Sequence, residues 1–387
     1  MKNALRLMGM IISLSFYGCS VNVVGPATST SLPQPGTAVP SIAASPSNSG
    51  TIEPPASETP SSSEITKIPI TWASLNLAGK MVFTSANVQQ DNPVLKIQVL
   101  DLATGQISTL FQTTGLAWIY YMTVSPVAGQ IILSYSPPPG NAAPGQQALY
   151  SLPMDGSKLP QLLFNPPSPE DLYPQAEWSA DGRYVYYVHS SSVPQVSGQL
   201  YPVYEIFRIT YPGGQTEKIA ENAFWPRISR DSSRLVYVSS DPTDGKNKIF
   251  VADADGSNAR QVMLTGTQVP EIIDAPIFSP DGKSILFSAP TPKPAYQPNW
   301  LEKLMGIQVA EAHTVPSDWW SVPLSGGAPK QITHIQSPVL FASISPDSRL
   351  IASYSGNGLF VMKPDGTGLA TLIPDLGGLA GIVSWLP

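Results

Sequence analysis

One short unit returns along most of this chain and limits what it can fold into. Its clearest copy is Phe278-Ser-Pro-Asp-Gly-Lys-Ser-Ile-Leu-Phe-Ser288. Trp178-Ser-Ala-Asp-Gly-Arg-Tyr-Val-Tyr-Tyr187, Ile228-Ser-Arg-Asp-Ser-Ser-Arg-Leu-Val-Tyr237 and Ile344-Ser-Pro-Asp-Ser-Arg-Leu-Ile-Ala352 match it. Val124-Ser-Pro-Val-Ala-Gly-Gln-Ile-Ile-Leu133 and Leu77-Ala-Gly-Lys-Met-Val-Phe83 are weaker copies. Each reads as the end of one strand, a tight turn, and a strand of β-branched and aromatic residues. Asp-Gly suits such a hairpin because both central positions of the favoured turn need φ above zero.

A second hairpin follows each first one. Leu149 to Asp155-Gly156, Ile206 to Pro212-Gly213, Ile249 to Asp255-Gly256, Trp319 to Ser325-Gly326 and Leu359 to Asp365-Gly366 share one spacing, and Ile97 to Thr104-Gly105 is a looser sixth copy. A short fourth strand comes after each turn, as in Arg260-Gln-Val-Met263 or Lys330-Gln-Ile-Thr333. Four antiparallel strands in roughly 40 to 70 residues is the size of a propeller blade. The 41 prolines in 387 residues agree, being about twice the usual share and hostile to long helices. The expected fold is all-β, a six-bladed β-propeller over residues 67–387. Ile382-Val-Ser-Trp385-Leu-Pro387 reads as the first strand of one more repeat, positioned to close blade one beside Lys80–Thr84, with Ile68–Trp72 competing for that slot.

The Trp/Phe-Ser-Pro-Asp-Gly-Lys unit followed by a strand resembles the WD-type repeat of the TolB family of six-bladed propellers. The resemblance covers residues 70–387 and implies the propeller more strongly than any activity. TolB places an α/β domain before its propeller, whereas this chain has a Ser/Thr/Pro tract there. The prolyl oligopeptidase group adds a hydrolase domain for which no residues remain.

Ahead of the repeats, Lys2 and Arg6 precede an apolar stretch from Leu7 to Tyr17. It is shorter than the roughly 20 residues a bilayer span needs, but it fits a signal-peptide core. The stretch ends in Phe16-Tyr17-Gly18-Cys19, which resembles the bacterial lipoprotein signal, and Cys19 is the chain's one cysteine. Residues 1–18 are therefore expected to be a signal peptide and Cys19 the lipidated residue, placing the protein in the envelope on the extracytoplasmic side of a membrane. Residues 19–66 are rich in Ser, Thr, Pro and Ala, with too little apolar surface to offset ordering. We expect a disordered tether with an r.m.s. span of roughly 40 Å.

Net charge −6 without a basic cluster argues against nucleic acid, which requires counterion displacement from phosphates. A lone cysteine excludes an intrachain disulfide framework and thiolate metal sites built on paired cysteines. The repeated Asp181, Asp231, Asp281 and Asp347 read as turn stabilisers, since a catalytic group need not appear once per blade. Asp253-Ala-Asp-Gly-Ser-Asn258 and Asp241-Pro-Thr-Asp-Gly-Lys-Asn247 distantly resemble calcium loops but lack five alternating ligands and the terminal glutamate. His189, His313 and His334 are the three histidines, and their spacing shows no convergence. There is no Gly-x-Ser-x-Gly elbow and no Gly-rich phosphate loop. No catalytic residue, metal or cofactor is expected.

Loop length carries the remaining signal. Connections between second and third strands are long, namely 136–147, 190–203, 239–247 and 290–317, and in a propeller they open on one face. Binding concentrates in such elaborations. Tyr296, Trp300 and His313 in the longest, with Tyr201 in the blade-three connection, are the candidate ligand-binding residues. Asn299-Trp-Leu-Glu302 has capping-box form and predicts a helix to about Ala312. Of the neighbouring Trp319 and Trp320, alternation along a strand sends one to the core. The sequence thus favours a membrane-anchored, non-catalytic lipoprotein binding a protein or polysaccharide on the long-loop face. The alternative is a metal-assisted lyase or hydrolase acting on a saccharide or peptide.

Overall fold

The computed structural model describes residues 65–87, 94–114, 116–127, 129–138, 146–194, 200–240, 246–290, 316–337, 340–355, 358–374 and 382–386. The expected signal, Cys19, nearly all of the tether and the 299–312 helix lie outside these residues.

Six antiparallel sheets are present among them. In blade one, β1 (Ile65–Lys67) lies outside β4 (Gln106–Gln112), followed inward by β3 (Val94–Asp101), β2 (Lys80–Asn87) and β25 (Val383–Trp385). Blade two is β5 (Trp118–Val124), β6 (Gln130–Ser136), β7 (Ala148–Pro153) and β8 (Gln161–Leu162). Blade three is β9 (Ala176–Trp178), β10 (Tyr184–Pro194), β11 (Leu200–Thr210) and β12 (Thr216–Glu221). Blade four is β13 (Ala223–Ile228), β14 (Arg234–Ser240), β15 (Asn247–Asp253) and β16 (Arg260–Gln261). Blade five is β17 (Asp274–Phe278), β18 (Ser284–Pro290), β19 (Ser317–Pro323) and β20 (Lys330–Gln331). Blade six is β21 (Phe341–Ile344), β22 (Ile351–Ser355), β23 (Gly358–Met362) and β24 (Ala370–Pro374).

The inner strands β25, β5, β9, β13, β17 and β21 each contact the inner strand of the next blade, so the ring is closed. Its clasp is the C-terminal strand. Met81 pairs with Trp385 and Phe83 with Val383, and the Thr84 hydroxyl accepts from the Ile382 amide at 3.0 Å. Of the two segments competing for this slot, residues 68–72 stay outside it, and the preceding β1 pairs with β4 at the opposite edge of the blade. Closure removes an edge that would otherwise recruit foreign strands.

Middle strands face a neighbouring blade on both sides, so their apolar residues run continuously instead of alternating. β18 and β22 are buried over five consecutive residues. The same geometry resolves the Trp319-Trp320 pair. Both are buried, Trp319 toward blade six beside Ile351 and Met362, and Trp320 toward blade four beside Val236 and Val251. At roughly 200 Å² per side chain and about 25 cal/mol per Å², each contributes at most about 5 kcal/mol.

The repeated turn is held by one hydrogen-bond set. The Ser179, Ser229, Ser279 and Ser345 hydroxyls donate to Asp181, Asp231, Asp281 and Asp347 at 2.6, 2.6, 2.6 and 2.7 Å. Each Oδ1 also accepts a backbone amide two residues on, at 3.0–3.1 Å. The Ser229 hydroxyl holds the Asp231 carboxyl down at about 2, and the Ser345 hydroxyl does the same for Asp347. These aspartates are turn staples, as their repetition implied.

Candidate functional site

Up-and-down strand order sends the first and third connections of every blade to one face. The second connections, and the links between blades, go to the other. The site is built where the inner strands begin, at the long-connection end.

Three inner strands carry bulges near that end, with register shifts between Ile119 and Tyr121, Phe224 and Arg227, and Asp274 and Ile277. A bulge re-aims a side chain, and Trp225 takes a φ of 58° within one. Tyr121 of blade two, Trp225 of blade four and Phe341 of blade six then meet across the axis. Their ring centroids are 6.2 Å (Tyr121–Trp225), 5.9 Å (Tyr121–Phe341) and 5.3 Å (Trp225–Phe341) apart. Alternate blades touching in the centre leave a stoppered neck. The Trp225 amide donates to Gln175 Oε1 at 2.6 Å, and its indole Nε1 donates to Asp274 Oδ1 at 3.2 Å.

An ion pair shares the neck. Arg227 Nη1 donates to Glu177 Oε2 at 2.9 Å, and Nη2 donates to the Ala342 carbonyl at 3.0 Å. The Thr123 hydroxyl reaches the same Glu177 oxygen at 3.4 Å, so blades two, three, four and six are joined by one network. The two side chains are 13% and 16% exposed, and Arg227 Nε is buried without a partner. Burial pushes the Glu177 carboxyl up, with Arg227 offsetting only part of it. Burial alone would lower Arg227, but Glu177 and Tyr121 carry it above its ordinary value. Burial also pushes the Tyr121 hydroxyl up to about 12.

On the short-turn face the axis is bridged again. Arg230, in the first turn of blade four, donates to the Ser348 hydroxyl and the Pro346 carbonyl in the first turn of blade six.

The sequence-predicted residues fare unevenly. In the blade-three connection, β10 and β11 extend as a ribbon in which Tyr201 pairs with Val193 at the long-connection end. Tyr296, Trp300 and His313 lie outside the described residues. His189 sits 3.3 Å from Asp171 through Nε2 and stacks on Tyr173 at 5.4 Å. His334 Nδ1 lies 3.0 Å from Gln331 Nε2 in the link between blades five and six. The structure does not bring these two histidines together, and among the described residues no three His, Cys, Asp or Glu side chains group to hold a metal. Asp255 and Asp253 spend their contacts inside their own turn, on Ser257 and Asn258. Sequence reasoning missed the Glu177–Arg227 pair and the aromatic neck. Their one signal was position, since all lie on the strand that precedes or begins each repeat.

No protein-family model matches the chain. An uncharacterised protein of Agrobacterium fabrum is 28% identical over 121 residues, which cover 29% of this chain and 38% of that relative's length. Among solved structures, a nidogen–laminin complex aligns over 79% of this chain and 98% of its own, with a TM-score of 0.52 and 9% identity. A TolB-type protein from Agrobacterium tumefaciens aligns over 80% and 100%, at 0.49 and 16%. An oligogalacturonate lyase in complex with manganese aligns over 77% and 86%, at 0.45 and 12%. The likeness is one of fold. It extends to the six-bladed ring, and the chemistry rests on the side chains described above.

Proposed function

We propose that this protein is a non-catalytic binding module of a bacterial envelope, anchored through a lipid on Cys19, whose propeller takes a protein or polymer ligand on the long-connection face. The stoppered axis carries this reading. Blades two, four and six meet at Tyr121, Trp225 and Phe341, so the ring offers a surface and a shallow mouth instead of a through-channel. Trp225, Gln175 and Asp274 supply an aromatic and hydrogen-bonding floor at that mouth. Hot spots of binding surfaces favour this mixture of aromatic and polar groups.

Pro290 and Ser317 are paired neighbours, so a two-residue Asn-Gly turn can replace residues 291–316 without moving either strand. Full-length protein and this variant are each presented to solubilised envelope and to cell-wall polymer. Retention of one partner by the parent, lost in the variant at an unchanged melting temperature, is the expected result. Equal retention by both would overturn the assignment of the face. Cys19→Ser should move the protein from the membrane to the soluble fraction, and unchanged membrane association would overturn the anchor.

A further inference from the structure

The short-turn face carries a cleft of about 320 Å³ between blades three and four, far from the mouth described above. That volume falls at the small end of ligand sites. Its floor is Arg208, whose Nε and Nη2 both lie 2.8 Å from Glu217 Oε2, while Nη1 donates to the Ala254 carbonyl at 3.1 Å. The guanidinium also lies 4.8 Å over the Tyr184 ring. Tyr186 donates to the same Ala254 carbonyl at 2.6 Å, tying blade three to blade four. Such a floor is pre-organised, and binding to it costs little ordering.

Two carboxylates of one turn stand beside it. Asp253 binds Ser257 and Asn258 through Oδ2, and Asp255 binds Ser257 through Oδ1. Among the described contacts, Asp253 Oδ1 and Asp255 Oδ2 take no donor. Across the cleft, Arg183 gives its Nε to Asp181 at 2.6 Å while 72% of its side chain stays exposed. Ser232 and Ser233 add hydroxyl groups from the first turn of blade four.

We infer that this cleft binds one unit of a neutral saccharide. Three aspartates in the lining repel a phosphate or an acidic sugar, and two guanidinium groups repel a bare cation. A mainly polar wall offers little to an apolar ligand. What fits is a molecule whose hydroxyls both donate and accept. Vicinal hydroxyls donate to Asp253 and Asp255 and accept from Arg183, while sugar C–H groups rest on the half-buried Tyr184 ring and the Ala254 methyl. This uses the carboxylate oxygens and Arg183 donors that the described hydrogen bonds leave unspent.

The test is calorimetric titration of the full-length protein with maltotriose, cellotriose and chitotriose, and with trigalacturonate as an acidic counterpart. At least one neutral trisaccharide should bind at millimolar concentration or below, more tightly than trigalacturonate. Asp255→Asn keeps the Ser257 contact but removes a carboxylate, and Ser233→Trp fills the cleft. Asp255→Asn should weaken binding about tenfold or more at an unchanged melting temperature, and Ser233→Trp should weaken it as much while also giving up the Ser233–Asp231 hydrogen bond. The 291–316 replacement should bind like the parent. No neutral sugar binding, tighter trigalacturonate binding, or equal affinity in both cleft variants would each overturn the inference. Loss of sugar binding in the 291–316 replacement would overturn it too.

Discussion

The two faces of this propeller are made from the same strands and differ in how those strands are joined. On the short-turn face the connections are a few residues long, and several are held by their own side chains, as in the Ser279–Asp281 and Ser345–Asp347 staples. Those turns also lock blades together. The Asp181 amide donates to the Ser232 hydroxyl of the next blade at 3.1 Å, and Arg230 reaches blade six. On the other face the connections are long and of unequal length, and the aromatic and ionic neck lies toward that end of the ring. One face spends its polar groups on keeping the ring closed, and the other spends chain length on surface. Closure of the ring is thereby kept apart from the long connections, so a connection can change without loosening the ring.

Breaking the neck should have the greatest consequence. Glu177→Ala leaves Arg227 buried without a counter-charge and should cost about 3–5 kcal/mol, read as the shift of a urea midpoint. Glu177→Gln with Arg227→Met should recover part of that loss, because no isolated charge remains. A double variant no better than the single would show that the pair is a minor part of the neck.

Turn glycines probe the other face. A Cβ on Gly366 would run into the Ile332 carbonyl oxygen of the preceding blade, and its φ is 83°. Gly366→Ala should cost more than the roughly 1–3 kcal/mol of the backbone conformation alone. Gly213 has nothing within 4 Å and no such φ, so Gly213→Ala should stay within about 0.5 kcal/mol. Equal thermal shifts for the two would sink the idea that these turns are blade-to-blade contacts.

The acid limb of stability belongs to the short-turn face. Asp231 and Asp347 have folded values of about 2, against about 3.9 in an unfolded chain. A lowered folded value contributes stability that is complete above about pH 4 and is lost as pH falls toward 2. The melting temperature should therefore drop through that window, and Asp231→Asn with Asp347→Asn should flatten part of the drop. An identical acid limb in parent and variant would assign the acid sensitivity elsewhere. The smallest change belongs to the long-connection face, where replacing residues 291–316 should move the melting temperature by no more than about a degree or two.

Much of the ring was legible in the chain because its signals are local. Ser279, Asp281 and Gly282 report a turn wherever they occur, since their side chains and φ preferences act within a few residues. Ile382–Trp385 announced the clasp because it repeats the start of other blades. The neck was not legible. Glu177 and Arg227 stand 50 positions apart, and neither belongs to a motif. Tyr121 and Trp225 look like ordinary strand aromatics until bulges turn them to the axis, where Phe341 meets them from a strand in regular register. Trp319 and Trp320 show the same limit, since alternation predicts one inward residue where two neighbouring blades bury both.

The order of residues along the chain was enough for the all-β class, the four-stranded repeat, its number and the turn chemistry, all of which are short-range. Packing of blade against blade set where the axis is stopped and which carbonyl crowds each turn glycine. It also set which polar groups are left facing the cleft between blades three and four. Those are relations between blades, and they exist only once closure of the ring has brought distant residues within reach.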